Sequence, residues 1–189
     1  MAECPAAEKG GTATAPCQVK ENRPMAIPRN IKQYLFHNNV SYTHKTHTVA
    51  FTSQEVAAVE HVPGGEFAKT VVLHADGQTI LAVLPGDHIV NMDSLKRQIG
   101  CEKLTVASEK EFAEKFPSCQ PGAMPPLGKL FGLRVYCDST LAQHPEIEFN
   151  GGTHVDTIRI TFGSFAKLEN PEMISFSEKR IGQRAPHAA

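Results

Sequence analysis

Apolar residues recur at helical spacing near the start of the chain: Ile31, Leu35 and Phe36 follow Pro28, which suits a first helical turn, and Asn38-Asn39 ends the run. Val40 to His44 reads as a short strand. Thr52 and Glu55 stand in the T-x-x-E relation of a capping box ahead of Val56, Ala57 and Val59, predicting a second helix that Pro63-Gly64-Gly65 stops. Two β-rich runs, Phe67 to His74 and Thr79 to Leu84, flank Ala75-Asp76-Gly77-Gln78, and Asp-Gly between such runs predicts a hairpin. Asp93 is a candidate cap for a helix through Leu95 and Ile99 that stops at Gly100, and Ser108 with Glu111 forms another capping box ahead of Phe112 and Phe116. A loop rich in Pro and Gly runs from Pro117 to Gly132. Beyond it Leu133 to Cys137 and Val155 to Thr161 read as strands, and a last short helix ends at Asn170-Pro171. The elements interleave without a regular βαβ repeat, and the hairpin makes part of the sheet antiparallel. The pattern predicts an α+β (mixed α/β) single domain with a mixed sheet.

Composition sets the limits of that domain. The 189 residues suit one core, and 41% hydrophobic with 21% charged residues is ordinary for a globular chain. Residues 1–25 are rich in Ala, Gly, Pro and Thr with no apolar period and are expected to be a disordered tail; 177–189 is expected to be a flexible polar tail, leaving 26–176 as the domain. The formal net charge of −1 excludes a global field able to hold a long nucleic acid, so any such contact is local. Five cysteines at 4, 17, 101, 119 and 137 show no CxxC spacing, and with no apolar secretory or membrane-spanning run they point to reduced thiols in a cytoplasmic protein.

Candidate chemistry lies in three places. Gly122 to Leu130, GAMPPLGKL, looks like a phosphate loop but has five residues between its glycines and Leu130 after the lysine, and Pro125-Pro126 lack the amides a phosphate nest uses. It is a stiff wall suited to a small pocket, or an ordinary surface connection. Asn150-Gly151-Gly152-Thr153-His154 is a glycine turn entering a strand: its amides are candidate oxyanion donors and His154 a candidate to orient water, or the segment is simply a turn. Lys69, inside FAKTVVL, must reach water, pair with an anion or line a cleft. Metal ligation is not supported by the spacing of His44 and His47, and Cys137 alternates with Val135 as a packed strand residue does, which argues against a reactive thiol.

In order, TSQEVA, FAKTVVL, AVLPGD, the G-x-x-x-P element Gly122 to Pro126 followed by Gly128, VYCDSTL and FNGGTH resemble the YbaK family, aminoacyl-tRNA deacylases related to the editing insertion of bacterial prolyl-tRNA synthetase, over about 26–172. Cys137 departs from the aliphatic residue usual there, and the first 25 residues are extra. The resemblance implies a curved mixed sheet with surrounding helices and a pocket where the bends at 63–65, 122–128 and 150–154 converge. It further implies hydrolysis of a mischarged aminoacyl-tRNA carrying a small amino acid, with no metal, cofactor or covalent intermediate, at the acceptor end of tRNA and with a synthetase as possible partner. Carried onto this sequence, the catalytic set is Lys69, Gly151, Gly152 and His154, and the substrate-binding set Thr52, Gly122, Pro126, Gly128 and Asp138. Lys69, Lys129 and Arg134 are the expected local cations. Two competing readings remain at this stage: a module that binds the aminoacyl end or docks on a synthetase without catalysis, and a cysteine-dependent hydrolase.

Overall fold

The computed structural model describes residues 27–48 and 63–180. The predicted helix at Thr52 and the first 25 residues lie outside that range. Helix α1 (Arg29–His37) starts after Pro28 and buries Ile31 and Leu35, one turn apart. Phe36, grouped with them by spacing, is instead 77% exposed, because it falls a further 100° round the helix.

The central unit is a five-stranded sheet in the order β5-β2-β3-β6-β9, built from β2 (Ala68–Ala75), β3 (Gln78–Pro85), β5 (Leu104–Val106), β6 (Arg134–Asp138) and β9 (Glu172–Ile174). β2 and β3 form the predicted hairpin, and Asp76 and Gly77 both take the positive φ (48° and 82°) that a two-residue type I′ turn demands. The Asp76 carboxylate ties this turn to the next connection by accepting the amides of Glu102 and Lys103. β3 pairs parallel with β6, and β6 with β9, so the sheet is mixed as expected. Residues 80–85 of β3 are all buried, the unbroken apolar run of a strand covered on both faces.

Each face has its own cover. On one lie α1, a three-stranded antiparallel sheet in the order β1-β8-β7, and helix α4 (Phe162–Glu169), with Leu81, Val83, Phe149, Ile158 and Phe165 in the shared core. Its strands are β1 (Thr43–Thr46), β7 (Glu146–Asn150) and β8 (Asp156–Thr161). A single parallel bridge, Phe67 to Glu148, joins the two sheets. On the other face, Leu73, Ala82, Leu84 and Tyr136 pack on Leu95 of helix α2 (Met92–Ile99) and on Phe176. α2 is capped by Asn91 rather than Asp93, its side chain accepting from the Ser94 amide, while helix α3 (Glu109–Lys115) carries the predicted Ser108–Glu111 capping box.

Two expectations are corrected. The strand expected at 40–44 starts at Thr43, because Val40 still completes the turn after α1 through its amide to Leu35 O. Residues 177–179, assigned to a flexible tail, form β10 (Ser177–Lys179), which pairs antiparallel with β4 (His88–Val90). Residues 181–189 lie outside the described range.

Candidate functional site

Two of the three glycine bends meet. The Gly152 amide donates to Ala123 O (3.0 Å) and the Gln120 amide to Gly152 O (2.9 Å), so the 150–154 turn is stitched to the start of the 122–128 loop. His154 adds two further ties: its amide donates to the Gln120 side chain (2.7 Å) and its Nε2 lies 2.9 Å from Pro121 O. A carbonyl accepts only, so in the neutral ring Nε2 carries the hydrogen. Gly152 has to be glycine here, since it holds φ of 98° and a Cβ would come within 2.9 Å of Pro28 at the start of α1.

The same bonds change what the turn offers. Besides Gly152, Gly151 donates its amide to Asp156 O (2.7 Å). Both candidate oxyanion donors are therefore committed within the protein. What fixes the turn is Asp156, 2% exposed, whose carboxylate lies 2.6 Å from His44 Nε2 and accepts the Thr153 hydroxyl at 2.5 Å, while the Asp156 amide donates back to Thr153 Oγ1. Sequence reading missed this residue. The signal, an aspartate opening an apolar strand after a Gly-rich turn, was present.

A cleft of about 310 Å³ opens beside the junction, its lining including Thr70, Val72, Ala107, Phe112, Gly122 and Met124. Its walls are mostly apolar. The cleft belongs to the face of β2 that carries Thr70 and Val72; by strand alternation Lys69 belongs to the other. There Lys69 Nζ donates to Gly86 O (3.4 Å) and to His88 O. Burial, reinforced by the Arg180 charge and partly offset by Asp87, holds its ammonium below the usual lysine range. The 63–65 bend belongs with Lys69, because Gly64 O accepts the Gly86 amide (3.0 Å) and Gly64 abuts Asp87.

The remaining residues sort clearly. Asp138 is 1% exposed and accepts from the Thr140 amide and hydroxyl and from the amides of Phe176 and Ser177, pinning the segment before β10 to the end of β6. Burial alone would raise its carboxyl, but these hydrogen bonds outweigh it and hold it below the usual range. Its expected place in a substrate pocket gives way to a structural one, since all four contacts are internal. Gly128 is a close-packing position: a Cβ would lie 2.4 Å from Val135 Cγ2 and 2.7 Å from Leu133 O. Pro126 is buried and, like Gly128, lies outside the cleft lining. Thr52 falls outside the described residues. Lys129 donates to Leu168 O and Arg134 to the Tyr136 hydroxyl, and both line a separate hollow with Glu169 and Glu172, so neither stands with Lys69. Burial pushes the Cys119 and Cys137 thiols up to about 11 and about 12, leaving both protonated at neutral pH.

The family model for the aminoacyl-tRNA editing domain matches residues 47–168, a span containing Lys69, the cleft and the 150–154 turn. The chain belongs to this family. Among curated relatives, the proline–tRNA ligase of Leptospira biflexa is 30% identical over 171 residues, 88% of this chain and 28% of the ligase; that of Geobacter metallireducens is 33% identical over 88 residues, 47% and 15%. The chain thus spans less than a third of the ligases it matches. The Escherichia coli multifunctional Ser/Thr-tRNA deacylase ProXp-y is 26% identical over 136 residues, 69% of this chain and 81% of that protein. A crystal structure described as a candidate trans-editing enzyme for prolyl tRNA synthetase superposes with a TM-score of 0.70 at 22% identity, covering 79% of this chain and 96% of the other, which establishes a shared fold.

Proposed function

We propose that the chain is a cytoplasmic aminoacyl-tRNA deacylase that removes a small amino acid from mischarged tRNA in trans. The observation that carries the reading is the editing-domain match over 47–168, which spans both the cleft and Lys69. The relative named a Ser/Thr-tRNA deacylase, of whose length 81% is matched, supports a domain that works outside a synthetase. No helix among the described residues is long and apolar enough to cross a membrane.

An aminoacyl ester is labile, so hydrolysis requires chiefly that water and ester be held in line; orientation can supply up to ~7 to 11 kcal/mol of a barrier. In this reading the amino-acid side chain enters the cleft beside Gly122 and Met124, and the His154-braced junction fixes its floor. Lys69 meets the phosphate next to the terminal ribose across the edge of β2, and the neighbouring ribose hydroxyl serves as base for the attacking water. Gly151 and Gly152 contribute through packing and bracing, their amides being already bonded. A closely fitting cleft excludes large side chains by clash, whereas one methylene changes binding by only ~1 to 3 kcal/mol, so small residues such as Ala, Cys, Ser or Pro are the expected substrates. A synthetase that delivers the substrate is the expected partner.

Those committed amides also favour a second reading, in which the site binds the aminoacyl end without cleaving it. Incubation with a panel of mischarged tRNAs separates the two. The deacylase releases free amino acid from one or more small-residue esters above the spontaneous rate, and a binder protects the ester or leaves its decay unchanged.

A further inference from the structure

Arg159 and Lys45 are balanced by the two carboxylates of Glu146 and Glu148. Arg159 sits between Glu146 and Glu148, and Glu148 is shared with Lys45. The ladder of β4 and β10 reverses that balance. Lys179 pairs opposite His88 in the register, its Nζ is 3.8 Å from Asp87 Oδ2, and His88 Nδ1 is 2.8 Å from Asp87 Oδ1. The Arg180 amide donates to Asp87 O (2.8 Å), which places its guanidinium stem beside the same turn, and Lys69 Nζ donates to the adjoining carbonyls of Gly86 and His88. Lys69, Lys179 and Arg180 therefore gather round Asp87, and the ladder's other carboxylate, Glu178, accepts from the Asn91 side chain, so cations outnumber carboxylates here in a chain of formal net charge −1. The Lys179 side chain is 76% exposed and Arg180 is exposed, so folding leaves most of their charge facing water. The Arg180 charge is also felt at Lys69, where it lowers the ammonium's pKa.

We propose that Lys179 and Arg180, with His88 beside them, form a docking rim for the sugar-phosphate backbone of the single-stranded 3′ end that carries the aminoacyl ester. The proposal rests on the deacylase reading and places the strand's path along the β4–β10 edge, leading to Lys69. A rim with two exposed cations and one inner lysine suits two or three phosphates, which is a short single strand and not a long duplex. Neutralising two phosphates of a single strand gives a slope of about −1.4 in log affinity against log salt, so affinity falls roughly sevenfold from 50 to 200 mM salt.

The test measures deacylation of a mischarged tRNA against salt for the full chain, the double variant Lys179→Gln/Arg180→Gln, the reversal Lys179→Glu/Arg180→Glu, and Lys110→Glu, at an exposed position of α3, as control. The expected result is a KM raised about tenfold in the Gln variant and more in the reversal, a flatter salt slope, kcat within about twofold, and unchanged hydrolysis of an aminoacyl-adenosine ester that lacks the upstream phosphates. The Gln variant removes charge without adding repulsion near Asp87, so it keeps the test informative if the reversal opens the ladder. Unchanged KM and slope in the Gln variant, or an equal loss in Lys110→Glu, overturns the rim. If the full chain releases no amino acid at all, the deacylase reading fails separately. Binding of a labelled CCA-ended oligonucleotide then decides the rim: weaker, less salt-sensitive binding by the Gln variant supports it, and equal binding overturns it.

Discussion

Thr153 and Asp156 illustrate how single hydrogen bonds hold the candidate site in place. The Thr153 hydroxyl both donates to the Asp156 carboxylate and accepts its amide, closing the turn that carries Gly151, Gly152 and His154. Thr153→Val keeps the shape and removes both bonds, which leaves buried groups without partners at roughly 1 to 3 kcal/mol. The expected outcome is a lower melting temperature and, well below it, a reduced kcat with KM little changed, while Thr153→Ser stays near wild type in both; equal kcat in Val and Ser variants would show that the turn needs no such brace. Asp138 behaves differently. Asp138→Ala strands the amides of Thr140, Phe176 and Ser177 and is predicted to cost at least roughly 3 kcal/mol by chemical denaturation, with residual activity tracking the folded fraction. A variant that folds normally yet loses turnover would return Asp138 to the substrate pocket.

At the scale of elements, local rules were legible and long-range ones were not. The Asp76-Gly77 turn, the Ser108–Glu111 box and the stop at Gly100 follow from two to four neighbouring residues, and each is present. β4, β5, β9 and β10 are three-residue strands whose pairing depends on where distant chain ends arrive, so no periodicity announces them. The residues of the site were similarly visible as types while their grouping was not. Lys69 and Thr70 are neighbours in sequence, yet alternation sends them to opposite faces of β2, which separates the lysine from the cleft that Gly122 borders. The capping box makes a pH prediction. Hydrogen bonds from the Ser108 hydroxyl and amide, aided by His74, hold the Glu111 carboxyl down at about 2. A depressed carboxylate stabilises the fold above its unfolded pKa and loses that contribution as pH falls toward the folded value. Ser108→Ala should therefore lower the melting temperature at pH 7 and lower it progressively less between about pH 4.5 and 2. A difference between the two proteins that is constant across that range contradicts the box as the cause.

For the whole molecule, the proposed function assigns the two layers on either side of the central sheet to two halves of one substrate. The face with α1 and the β1-β8-β7 sheet braces the cleft and its glycine turn, and the face with α2 and the β4–β10 ladder carries Lys69 and the basic edge. Cys137 is buried and Cys119 half-buried, and desolvation keeps both thiols protonated, so alkylation at neutral pH is expected to leave deacylation intact; inactivation that follows thiol modification would revive a cysteine-dependent hydrolase. Central to the account is that the cleft bordered by Gly122 receives the amino acid of a mischarged tRNA. Filling it from the rim with Ala107→Phe, in a protein whose melting temperature is checked, tests that claim through the initial rate of amino-acid release. The account predicts rapid release by the parent chain and at least a tenfold lower rate in the filled variant; a filled variant that still folds and hydrolyses at the parent rate contradicts it.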